Sequence, residues 1–303
     1  MRAAWRFNPG EPLGAAFRRT ATDEIGVVRT ALASDKGDRD KGVHEARRSF
    51  KRMRALLRLA SPGMDRPFAK ENRRLRDAGR LLAPARDAAV LVHSFDEFVQ
   101  SHGQDLDPDY LAALRARQVR KAEATAAENA ALEGYVAKVL GLLDRAEKNL
   151  ARLDWPEDPE DLHRGLRKAN ARLTAAFRAA RASGDAEDLH DWRKRLKDQS
   201  AHMELFRAVL PGSLKPARKS AKQIAQVLGD EHDLCLLAAK LRAGHCPSKM
   251  RDTRDALLER IEARRAKMRQ KAFRLGEAHG AGETDGFARD LCAAWEAGQP
   301  RAA

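Results

Sequence analysis

The chain has 303 residues and a formal net charge of +14, from 58 Lys and Arg against 44 Asp and Glu; such a length can bury one large core or two halves of about 150 residues, and the charge favours anionic partners. Aromatic residues make up 5%, with two Tyr in total, so there is little material for stacking bases. The odd number of cysteines (Cys235, Cys246, Cys292) and the lack of a CxxC pair exclude a disulfide framework, and no apolar run approaches the roughly 20 residues that cross a bilayer.

Read from the N-terminus, the opening MRAAWRFNPGEPLG lacks the apolar stretch of a signal peptide, and a soluble, reducing, cytoplasmic setting with no membrane partner is the expectation. Gly and Pro gather at joints: Asn8-Pro9-Gly10, Ser61-Pro62-Gly63, Asp107-Pro108, Trp155-Pro156, Pro211-Gly212 and Cys246-Pro247. Between the joints Ala, Leu, Arg, Glu and Lys predominate, all good helix formers, and no alternating β-branched run supports a strand. The pattern predicts first-half helices over about 11–33, 42–60, 65–82, 85–101 and 108–152, the last divided or bent because Gly134 and Gly141 interrupt it. In the second half it predicts helices over about 159–182, 187–210, 213–228, 231–243, 248–276 and 284–297. The fold class is all-α. Two pseudo-symmetric helical bundles, 7–153 and 154–297, are expected to form one domain over 7–297, joined near Trp155-Pro156.

The symmetry rests on a pattern that occurs twice, 146 residues apart. Residues 43–59 read VHEARRSFKRMRALLRL and residues 189–206 read LHDWRKRLKDQSAHMELF. At that one offset His44 meets His190, Arg47 meets Arg193, Arg48 meets Lys194 and Lys51 meets Lys197. The register runs on to Leu82 and Leu228, Asp87 and Asp233, and Leu91 and Leu237. At 100° per residue, His44, Arg47, Arg48, Lys51, Arg54 and Arg58 share one helix face, opposite Val43, Ala46, Phe50, Met53 and Leu57. In the second copy His190, Arg193, Lys194 and Lys197 lie opposite Leu189, Trp192, Leu196 and Met203.

A solvated face is the ordinary explanation of a charged stripe. This one has no acid on the same face at i+3 or i+4, and like charges at that spacing cost helix stability, so anion binding is the better reading. The third helix of each half adds Arg73, Arg76 and Arg80, and Lys219 and Lys222. The first helices add Arg18 and Arg164, equivalent at the same offset. If these faces converge, they line a basic groove.

These segments, each followed by a leucine-rich acidic turn (LLAPARDAAVL and VLGDEHDLCLL), resemble the CHAD family, the conserved histidine α-helical domain. The segments FNPGEPLGAAFRR and DLHRGLRKANARL are similar to the first helices of that family's two halves. The resemblance implies two bundles joined as one domain around a basic cleft that binds inorganic polyphosphate. It implies a stand-alone member, since the ExExK signature of the CYTH triphosphate-tunnel domain that often accompanies CHAD is absent from this sequence. Carried over by position, the implied ligands are His44, Arg47, Arg48, Lys51, Arg54, His190, Arg193, Lys194 and Lys197, with Arg18, Arg58, Arg73, Arg76, Arg80, Arg164, Lys219 and Lys222 in support. Ser200 and Glu204 depart from Arg54 and Arg58 of the first copy, which predicts weaker binding at the far end of the second stripe.

No metal and no cofactor are expected. Cations flank His44 and His190 and would repel a dication, while the run Glu231-His232-Asp233 and the pair His245-Cys246 have no partner at ligand spacing. His93, His102, His163, His202 and His279 read as surface or boundary residues. Asp87 and Asp233 read as structural partners that hold an Arg, each near a helix start. No phosphate-cradling Gly loop and no Ser-His-Asp or Cys-His arrangement is present, so no catalytic residue is proposed. Nucleic acid is the rival polyanion, though no helix-turn-helix, zinc-finger or RNP signature supports it. A scaffold whose bundle faces recruit another protein or coat a storage granule is a third class.

Overall fold

The computed structural model describes residues 5–33, 39–64, 67–82, 84–128, 132–210, 212, 214–244, 246–280 and 286–297. Among these residues there are eleven α-helices and no strand. They are α1 (Leu13–Leu32), α2 (Arg39–Ala60), α3 (Pro67–Leu81), α4 (Pro84–His102), α5 (Pro108–Glu128), α6 (Leu132–Ala151), α7 (Pro159–Ser183), α8 (Ala186–Leu205), α9 (Leu214–Ala243), α10 (Arg251–Ala278) and α11 (Gly286–Ala297).

Local chemistry sets the ends. Asp107 Oδ1 accepts from the backbone N–H groups of Asp109 and Tyr110 at 2.9 and 3.0 Å, and Pro108 opens α5. Asp158 accepts from the Glu160 N–H at 2.8 Å ahead of α7, which closes on Gly184 in the left-handed conformation. Both devices satisfy groups that a helix end leaves unpaired.

Two boundaries differ from the sequence expectation. The stretch 108–152 divides between α5 and α6, and Gly134 and Gly141 lie inside α6. The helices expected over 213–228 and 231–243 are one continuous α9. The first half breaks at the equivalent place because Pro84 has no N–H to continue a helix and becomes the first residue of α4. At the offset of 146 its counterpart is Asp230, which has the N–H. Gly229 alone costs about 1 kcal/mol and does not stop a helix.

Among the described residues three apolar cores hold the helices. The largest joins α1, α2, α3 and α6, and Phe206, Leu291 and Trp295 reach into it from the C-terminal half. Phe7 is fully buried there, with ring centroids 5.1 Å from Phe17, 5.3 Å from Phe206 and 5.6 Å from Trp295. The second joins α7 and α8 to the first half of α9 and the end of α10, with Trp192 stacked on Phe273 at 5.7 Å. In the third, the α4–α5 hairpin packs on the second half of α9 and on α10. Its members include Leu91 and Leu237, Phe95 and Leu241, and Leu111 and Leu257, each pair separated by the offset of 146. No helix among the described residues is long and apolar enough to cross a membrane.

Candidate anion-binding site

The apolar stripe of α2 decides which way its cations point. Val43, Ala46, Phe50, Met53 and Leu57 are buried in the first core, which turns the opposite face outward. His44, Arg48 and Lys51 are exposed, and Arg47, Arg54 and Arg58 are half-buried. Arg47 Nη1 donates to the Leu82 carbonyl at 3.1 Å and ties α2 to the end of α3. Arg54 Nε donates to Asn72 Oδ1 at 3.0 Å, and Arg58 Nη1 reaches the same oxygen at 3.5 Å.

From α3, Arg73 and Arg80 are exposed, while Arg76 is half-buried and donates to Asp77 at 2.9 Å. Burial pulls the Arg54 guanidinium down to about 10, reinforced by Arg58, opposed by Asp198, and reinforced again by Arg76 and Arg80. It stays charged at neutral pH. A guanidinium crowded by other guanidiniums gains from any anion placed among them.

The second stripe keeps the spacing and changes the surroundings. Lys194 and Lys197 are exposed on α8, as are Lys219 and Lys222 on α9. Arg193 is half-buried, and its Nε donates to the Ala225 carbonyl at 3.1 Å, so it braces α8 on α9 much as Arg47 braces α2 on α3. Burial lowers the Arg193 pKa against the pull of Asp233 and Asp230, and burial likewise raises both carboxyls. Asp233 is therefore a partner of Arg193 in the middle of α9, not a residue at a helix start. The Asp87 side chain lies outside the described residues.

His190 stacks on His232 with ring centroids 4.6 Å apart. Its pKa falls to about 4, first through burial, then through His232, Lys194, Arg193 and Lys197. Each stripe also carries an acid that the helical projection passed over. Arg48 pairs with Glu45 at 2.6 Å and Lys194 with Asp191 at 3.3 Å, both three residues apart. The acids sit one step off the face, within reach of a long cationic side chain. Arg18 is exposed on α1, and Arg164, exposed at the start of α7, pairs with Asp161.

The two stripes meet at one crossing. Arg52 of α2 pairs with Glu204 of α8 at 3.3 Å, His202 Nε2 lies 3.1 Å from the Ala55 carbonyl, and Arg58 pairs with Asp198. Residue numbers rise on α2 as they fall on α8, so the helices run antiparallel here. The N-terminal parts of the stripes then lead away from the crossing in opposite directions. His202, expected at a boundary, is fully buried, and burial holds its pKa below the usual range. Nearby, α7 crosses the end of α2 at Gly165, where a methyl group would run into the Leu59 carbonyl oxygen.

The sequence alone does not single out Asn72, Arg52 or Asp198, and it offers His232 only as a rejected metal ligand and Glu204 only as a departure from the first stripe. Asn72 and His232 carry no signal, because their partners are set by packing between helices. Asp198 and Glu204 did leave one, as charge reversals at the spacing of 146 residues from Arg52 and Arg58.

The sequence profile of the CHAD domain matches residues 13–242 of this chain. The chain belongs to the CHAD family. Of the solved structures, the crystal structure of the CHAD domain from the plant Ricinus communis is similar, with 20% identity, a TM-score of 0.59, and coverage of 98% of this chain and 96% of that one. At that identity the likeness concerns the fold, which in this CHAD protein is all-α. No curated protein matches the sequence.

Proposed function

We propose that this CHAD protein binds inorganic polyphosphate without catalysing a reaction, with one site on α2 and α3 (Arg54, Arg58, Arg76, Arg80) and another on α8 (His190, Arg193, Lys194, Lys197). The observation that carries the reading is the α2–α3 cluster, where Arg54 and Arg58 share Asn72 Oδ1 and burial, with Arg58, Arg76 and Arg80 alongside, pulls the Arg54 pKa down to about 10. Such a site discharges its repulsion on a flexible chain of closely spaced phosphates. The polyphosphate binding that the family resemblance implies points the same way. The reading places the protein in the cytoplasm, on or near polyphosphate granules.

Titration with long-chain polyphosphate and with random duplex DNA at one salt concentration tests it. A mobile polymer can bring several phosphates to one cluster, whereas duplex charges are fixed on a wide cylinder. Polyphosphate is expected to bind at least about tenfold tighter, about 1.4 kcal/mol, with a steep salt dependence from released counterions. Equal or tighter binding of the duplex would replace this reading with nucleic-acid binding.

A further inference from the structure

The crossing of α2 and α8 has a charge logic of its own. The offset of 146 carries position 52 onto 198 and position 58 onto 204. The structure pairs 52 with 204 and 58 with 198, so each ion pair is the image of the other under the repeat. The first copy has Arg at both positions and the second has acid at both. An α2–α2 crossing of this kind would set Arg against Arg, and an α8–α8 crossing acid against acid; only α2 with α8 is complementary. The side chains are largely shielded, at 16% and 20% exposed for Arg52 and Glu204 and 16% and 17% for Arg58 and Asp198. They are therefore screened less than surface pairs. Arg52 also pairs with the buried Glu24 at 3.3 Å and lies over the Trp5 ring, and Arg195 faces Asp198 at 3.9 Å.

Glu204 is thus more than a weak end of the second stripe. From Ala55 the α2 stripe runs back to His44 over roughly 16 Å, and from His202 the α8 stripe runs back to His190 over roughly 18 Å, at about 1.5 Å per residue. The antiparallel contact sends these arms in opposite directions. We propose that Asp198 and Glu204 are positioning residues that hold the two cationic arms end to end, so that a long polyphosphate bridges both arms while a short one engages a single arm. This rests on the polyphosphate reading above and names the ligand length that the site rewards.

Charge sign separates positioning from simple attraction. Glu204→Arg and Asp198→Arg each add positive charge, and attraction alone would tighten every polyanion. Positioning predicts that the ratio of long-chain polyphosphate affinity to tripolyphosphate affinity falls about tenfold in each variant. If a reversal unfolds the chain, Glu204→Gln and Asp198→Asn read the same ratio, with an expected fall of about threefold. An unchanged or increased ratio in folded variants overturns the proposal. The seam is also measurable without ligand: the melting-temperature losses of Arg52→Gln and Glu204→Gln should fail to add in the double variant. Additive losses would overturn the seam whatever the ligand. Coupled losses in a protein that prefers duplex DNA would overturn the polyphosphate reading and leave the seam standing.

Discussion

The α2–α3 side and the α8–α9 side carry the same cationic spacing and differ in what surrounds it. On the first side Arg54 sits beside Arg58, Arg76 and Arg80, with the neutral Asn72 as its hydrogen-bond partner. On the second side Arg193 lies among Asp230 and Asp233 and donates to a backbone carbonyl, while His190 is stacked and held neutral. The spacing of a motif is therefore not a measure of its charge. On the first side the acids Asp198 and Asp77 pair with Arg58 and Arg76 and leave Arg54 a neutral hydrogen-bond partner, whereas on the second Asp230 and Asp233 face Arg193 itself. Four tests probe this comparison, in order of falling effect.

The largest effect is expected from Arg76→Glu with Arg80→Glu, which reverses two of the cations around Arg54. Long-chain polyphosphate affinity should fall by about 100-fold, near 2.7 kcal/mol. The counterpart Lys219→Glu with Lys222→Glu on α9 should cost about tenfold. Equal losses by calorimetry would erase the difference between the sides.

Next comes the join. Gly165→Ala forces α7 off the Leu59 carbonyl at the end of α2 and should destabilise the fold by about 2 kcal/mol, as overpacking does. Gly26→Ala in α1, where an added methyl meets nothing within 4 Å, should instead gain about 0.5 kcal/mol. Urea midpoints for the two variants give the comparison directly, and equal midpoints would mean that the two helices can separate freely.

A smaller effect concerns pH and His190 on the second side. The His190 pKa is lowered from 6.5 to about 4 on folding, so between those values the unfolded chain binds a proton that the folded one refuses. Stability should fall as pH drops through that window, and this residue can add at most about 1.4 kcal/mol per pH unit to the slope. His190→Gln should flatten the fall in stability between pH 6.5 and 5. The same slope in wild type and variant would return the acid sensitivity to His202, His232 or His279, whose pKa values burial also lowers.

The smallest change is expected from Arg48→Gln. This exposed residue pairs with Glu45 on its own helix, and such pairs contribute about 0.3–0.5 kcal/mol. Stability should move within that range and polyphosphate affinity by about twofold. A tenfold loss of affinity would put Arg48 at the centre of the α2 site.

Much of the fold could be read in advance. Helix formers between Gly and Pro joints placed most helices within a few residues, and the spacing of 146 residues pointed to the matching cationic faces of α2 and α8. Where the reading failed, local signals were being asked about distant contacts. Pro84 broke one helix and Asp230 did not break its counterpart, although the flanking leucines look alike. Glu45 and Asp191 lay off the projected face yet reach the cations beside them.

By itself, the sequence determined the all-α class, the apolar and cationic faces of α2 and α8, and the surplus of positive charge, because each follows from residue type and a helical period. The tertiary structure alone decided which cations are compensated. Arg54 and Asn72, His190 and His232, and Arg58 and Asp198 are 18, 42 and 140 residues apart in the chain. Their meeting depends on how helices cross, and crossing is set by uncharged buried residues such as Trp192 and Gly165, the latter through having no side chain.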